Sequence, residues 1–203
     1  MKKQLLTAAL ALCATQAQAA NLSKSYLEIG YSTTEFTDNT YFDNKTDLDL
    51  IGHQMSLSYE FENGFYSGLH IKRHRDTFII YLIDQDVDYD ENLFELGYVL
   101  NQTEKGRLSI GAYIGEMEIA VKDNNSDANI YRLYTEYDHG FNKYFSAFAK
   151  AGYESIDGDN STKEDGFWAQ AGIRLHLGSS SFSWRISRGE VAEQLAFAYR
   201  YSF

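Results

Sequence analysis

The chain has 203 residues, a formal net charge of −11, no proline and a single cysteine. A negative balance of this size excludes a nucleic-acid partner, which needs clustered positive charge. No stretch beyond Ala14 approaches the ~20 apolar residues of a spanning helix, which excludes a helical membrane protein. The lack of proline suits a chain built mostly of paired strands, because proline cannot donate to a ladder.

In chain order, Lys2 and Lys3 precede an apolar run from Leu5 to Ala14, followed by Ala17-Gln-Ala19. The run is too short to span a bilayer and predicts an export signal over 1–19, cleaved before Ala20. Cys13 raises a lipoprotein alternative, which Leu12 before it disfavours. Loss of Lys2 and Lys3 with the leader takes the charge from −11 to −13 and leaves no cysteine for disulfide or thiol chemistry. The remainder, 20–203, has no internal repeat or linker and is read as one domain.

Alternation then predicts strands, since successive side chains point to opposite faces. The first runs from about Lys24 to Glu35, with Leu27, Ile29 and Tyr31 on one face and Glu28 and Gly30 on the other. The second, about Leu50 to Phe61, sets Met55, Leu57 and Tyr59 against Gln54, Ser56 and Glu60. Asn63-Gly64 is a strong hairpin signal. A third strand from Phe65 carries Leu69 and Ile71 outward, His70 and Lys72 inward. The fourth, about Glu91 to Leu100, places Glu95 inward opposite Phe94 and Leu96. The fifth opposes Leu108, Ile110 and Ile114 to Arg107, Ser109 and Tyr113. The sixth, about Ile130 to Asp138, opposes Tyr131, Leu133 and Tyr137 to Arg132, Tyr134 and Glu136. The seventh puts Lys150 inward and Tyr153 outward, and the eighth Arg174 and His176 inward with Phe167 and Ile173 outward. A short ninth carries Trp184 and Ile186 out with Arg185 in. The tenth ends the chain with Leu195, Phe197, Tyr199, Tyr201 and Phe203 on one face and Arg200 on the other.

Connections after the even strands are short. Those after the first, third, fifth and seventh are longer and richer in Asp and Asn; the short one at 188–191 leaves eight strands as the alternative to ten.

The alternating aromatic face and final Phe203, together with the leader, the dyad repeat and the loop asymmetry, resemble the bacterial outer-membrane β-barrel proteins. The resemblance implies a closed antiparallel transmembrane β-barrel in the bacterial outer membrane, with short periplasmic turns, long outer loops and both termini in the periplasm. It also implies that Phe197, Tyr199, Tyr201 and Phe203 form the signal read by the barrel assembly machinery, with lipids and lipopolysaccharide as surroundings. Sixteen tyrosines and thirteen phenylalanines suit the interfacial girdles of such a barrel.

Inward charges of both signs, among them Glu28, Glu60, Glu95, Arg107, Lys150, Arg174 and Arg200, predict an ion-pair network that fills the lumen, because an isolated buried charge costs several kcal/mol. A narrow channel for small solutes or ions is the alternative. Lys72, Arg73 and Arg75 lie where the third strand leaves the membrane, ahead of the apolar run Phe78-Ile-Ile80-Tyr81-Leu82-Ile83 and of Asp84, Asp86, Asp88 and Asp90. A hairpin turning near Tyr81 sets the arginines opposite the aspartates as a ladder of charge pairs. The same segment, about Arg73 to Glu91, is the candidate recognition element: its cations for lipopolysaccharide phosphates, its apolar tip for an extracellular partner.

No cofactor or metal is expected. Alternate carboxylates on a strand do not wrap one ion, and Asp157-Gly-Asp159-Asn160 lacks the EF-hand spacing. Asn160-Ser-Thr162 matches a glycosylation sequon by chance. Nor is an enzyme expected: the Asp138-His139 pair falls at a periplasmic turn, unlike the outer-rim pair of the omptin proteases. His176 points inward rather than to lipid as the lipid A deacylases require, and His70, His74 and Asp76 resemble the palmitoyltransferase set only loosely.

Overall fold

The computed structural model describes residues 22–36, 49–80, 83–121, 124–158 and 163–203, without the side chains of 49, 76–80, 83–85 and 124. The expected leader, 1–19, and the candidate contacts Tyr81 and Leu82 lie outside the described residues, as do the side chains of Phe78 and Ile80. Ten strands follow in order: β1 Tyr26–Phe36, β2 Asp49–Glu60, β3 Phe65–Ile80, β4 Ile83–Gln102, β5 Gly106–Val121, β6 Asn124–Asn142, β7 Phe145–Gly158, β8 Lys163–Leu177, β9 Ser180–Arg188 and β10 Ala192–Ser202. Each pairs antiparallel with its chain neighbours, and β1 pairs with β10 to close the barrel. Ten strands, not eight, is the answer. Closure leaves no edge in this ring, and the seam runs Glu28↔Arg200 and Tyr31↔Phe197.

The turn at one end of β2–β3 shows how the sequence sets the register. Asn63 Oδ1 accepts from the Phe65 amide at 3.2 Å. Gly64 adopts φ +84°, a left-handed conformation that costs a residue with a Cβ roughly 1–2 kcal/mol.

Two expectations are corrected. The long outer connections after β3 and β5 are mostly strand: β3 and β4 pair out to Ile80↔Ile83, and β5 and β6 to Val121↔Asn124. Asp138 and His139 lie within β6 rather than in a turn, with Asp138 buried and His139 beside Tyr137 and Phe141 on the outer face.

The wall therefore has uneven height, tall from β3 to β6 and low at β9 and β10. Its surfaces invert partway up. On β4 the outward positions read Tyr98, Leu96, Phe94, then Asn92, Asp90, Asp88, while the inward ones read Glu95, Leu93 and Glu91, then Tyr89 and Val87. β5 does the same, from Ile110 and Ile114 to Glu116 and Glu118 outside, and from Ser109 to Met117 and Ile119 inside. Toward the tall end the exterior turns charged and the interior gathers an apolar core, with Leu93, Tyr113 and Trp168 reaching down among the polar groups and Glu91 buried between outward Asn92 and Asp90. Phe36, Leu50, Val87, Ile130, Ile156 and Val191 belong to that core. One sheet cannot be apolar on both faces in one place without either a second layer or lipid to cover it.

Candidate functional site: the lumen and the outer wall

Inward residues of the lower storey meet across the barrel because their strands are tied in register. Arg107 Nη2 lies 2.8 Å from Glu60, and its Nη1 donates to the Leu22 carbonyl at 3.0 Å. Lys24 sits 2.5 Å from Glu136, and Arg174 reaches Asp138 at 2.6 Å. Glu28 takes two guanidiniums, Arg185 at 2.5 Å and Arg200 at 2.9 Å. Glu95 accepts from Lys150 at 3.3 Å, from His70 at 2.9 Å and from the Tyr134 hydroxyl. Above these, Glu91 holds Lys72 at 2.6 Å and Arg132 at 3.3 Å, and Arg132 also pairs with Glu154. Aromatic faces carry the cations: Arg200 stands 3.6 Å from the Tyr26 ring centre, Arg174 4.1 Å from Phe148, and Lys150 4.6 Å from Tyr134.

All seven lumen residues singled out in the sequence thus have charged partners inside. Lys24, Glu91, Asp138 and Glu154 were not among them. Glu91 shares the parity of Glu95 on β4, and Lys24 that of Glu28 at the start of the first expected strand, a usable signal in both cases. Lys72, grouped above with the surface cations, points inward, and its Glu91 partner is fully buried. It is not available to a surface ligand.

Arg73 and Arg75 do stand outside, in register with Asp90 and Asp88, at 3.2 and 2.8 Å. Arg73 is committed throughout, since its two terminal nitrogens donate at 2.9 Å to the Lys72 carbonyl and to Asn92 Oδ1. Arg75 is far more exposed than Arg73, at 85% against 45%.

Three histidines face the lumen against hydroxyls. His74 Nε2 is 2.8 Å from Ser32 Oγ, His176 Nε2 2.8 Å from Ser146 Oγ, and His70 Nδ1 2.9 Å from Ser56 Oγ. With Glu95 on its other nitrogen, His70 completes a Ser–His–Glu chain of the type used to activate a nucleophile. The cavity beside Ser56 measures about 50 Å³, enough for a few waters but not for an acyl or peptide substrate. The recurrence of the Ser–His contact in three places marks it as a means of satisfying buried imidazoles. Among the described residues no group of three or more His, Cys, Asp and Glu is disposed to hold a metal.

The fold is that of the bacterial outer-membrane β-barrels. The β domain of the Bordetella autotransporter BrkA superposes with a TM-score of 0.60 at 11% identity, over 88% of this chain and 99% of that one. Neisserial surface protein A follows at 0.50 and 11%, over 89% and 98%. Ail, the attachment invasion locus protein of Yersinia pestis, gives 0.44 and 14%, over 89% and 100%. No protein-family model matches the chain, and no curated protein does.

Proposed function

We propose that the protein is a non-enzymatic barrel of the bacterial outer membrane, with both termini in the periplasm, that acts at the cell surface through the wall built by β3 to β6. The observation that carries this reading is the inversion of both faces at one level. A wall that turns charged outside and apolar inside has left the lipid and become a packed structure in water. Short turns at the other end fit the periplasmic side of such barrels.

In this reading the tall hairpin, about Arg73 to Glu91, is the recognition element, and Arg75 is the cation best placed to meet a lipopolysaccharide phosphate. Lipid covers the apolar belt, and the outward face of Phe197, Tyr199, Tyr201 and Phe203 serves the assembly machinery. The apolar core over the ion-pair network supports a closed lumen.

The test is single-channel recording from refolded protein in planar bilayers, after heat-modifiable migration has shown a folded barrel. Silence is the expected outcome. Stable, reproducible steps would replace this reading with the narrow channel, for which the polar cavity within the network is the favouring observation. Replacing residues 76–88 by a two-residue turn is expected to leave assembly intact and to remove binding of the cell-surface ligand. Unchanged binding by cells displaying the shortened barrel would sink the role given to the hairpin.

A further inference from the structure

The charges of the lower storey can be counted against one another. Arg107 balances Glu60. Lys72 and Arg132 balance Glu91 and Glu154. Lys24, Arg174 and Lys150 balance Glu136, Asp138 and Glu95. That leaves Glu28 with two cations, Arg185 and Arg200. Among the described residues eight cations of the lower storey thus meet seven carboxylates, and the surplus charge falls at one place.

The same place borders the cavity of about 50 Å³. On the seam strand β10 the small inward side chain of Ala196 borders this space. The charged groups around it are unevenly disposed: seven are cationic, and only Glu91 and Glu136 are carboxylates. Glu28 and Glu95 hold their cations from the wall without bordering the space. Of the lining atoms without a hydrogen bond, two are nearly fully buried donors, Arg174 Nε and Gln54 Nε2; the others are oxygens of Glu91 and Glu136, each carboxylate already paired with a lysine. Buried donors are seldom left unpaired, and a surplus buried guanidinium is more costly still.

We propose that this cavity is a binding site for one small inorganic anion of the halide class, held by Arg185 and Arg200 and by the free donors of Arg174 and Gln54. An anion there cancels the surplus charge counted among the described residues and satisfies donors that water, itself needing to donate, serves less well. The volume accepts a chloride-sized ion with a water or two at ~10–15 Å³ of such space per water. It is too small for a sugar acid or a phosphate ester. The site goes beyond the surface role proposed above and is independent of it.

Two measurements test it. Crystals of the folded protein grown with bromide are expected to show an anomalous peak between Arg185 and Arg200, whereas bromide-saturated crystals with only water there would overturn the proposal. In detergent at fixed ionic strength, replacing gluconate, too large for the cavity, by chloride is expected to raise the thermal midpoint, because a ligand bound only to the folded state stabilises it. Arg185→Gln leaves Arg200 neutralised by Glu28, and its chloride response is expected to vanish; an unchanged response would count against the site. Should that variant fail to fold, the bromide density of the unaltered protein decides alone.

Discussion

Single residues carry unequal weight in this barrel, according to how many partners they hold. Glu28 is the sharpest case, because both of its oxygens are taken by guanidiniums that have no other carboxylate within pairing distance among the described residues. Glu28→Gln strands two buried cations, and a loss of about 3–5 kcal/mol is expected from breaking a buried pair at one partner. The urea midpoint of the folded band on a gel reads it. Gly97 matters through shape instead. A Cβ placed there would stand 2.1 Å from the Tyr66 ring, which lies flat over the glycine and reaches the Tyr134 hydroxyl at 3.2 Å. Gly97→Ala therefore has to displace a buried aromatic, with an expected cost of about 1–3 kcal/mol. Gly97→Ala in a Tyr66→Leu background should cost less than the two changes added separately, which would trace the loss to that one contact.

At the scale of the strand, the tall hairpin is the element to probe. Its outer charge ladder is exposed, so a double-mutant cycle on Arg75 and Asp88 is expected to give at most about 1 kcal/mol of coupling, falling in high salt. A larger, salt-insensitive value would mean that the ladder holds the hairpin together. The reading of the sequence succeeded and failed here for one physical reason. Parity was legible wherever lipid-facing residues such as Phe94, Leu96 and Ile114 are apolar and their neighbours polar or small. Above Asn92 and Glu116 the alternation continues, but the apolar parity changes face, so Tyr89, Val87, Met117 and Ile119 follow the rule of a water-soluble strand. A search for greasy outward residues stops at the crossover and takes the remainder, rich in Asp and Asn, for loop. The Asp138-His139 pair was misplaced by the same habit, since Asp138 is a polar residue near a strand end that belongs to the interior.

For the molecule as a whole, the lower storey is tied by ion pairs and the upper by hydrophobic contact, and the two should respond differently to the same insult. Ile130 is fully buried in the upper core. Ile130→Asp places an unpaired carboxylate there at a cost of several kcal/mol, and the expected result is rapid amide exchange over the tips of β4, β5 and β6 while the strands below remain protected. Exchange spreading evenly through all ten strands would mean that the storeys melt as one. The lumen partners of Glu28 and Glu95 were readable in kind from the inward charges. Which cation meets which carboxylate was not, because pairing across a barrel depends on shear and strand tilt, which no single strand encodes.

The uneven interior also bears on temperature. Contacts between apolar side chains weaken on cooling, whereas the cost of dehydrating charged groups falls on warming. Val87, Ile130 and Ile156 therefore bind the rim most loosely in the cold, and the arginine and glutamate lattice beneath grows relatively firmer with heat. On warming, the rim therefore tightens through its apolar contacts and the lattice beneath it through the cheaper dehydration of its charges, so that both ends of the barrel stiffen together by unrelated means.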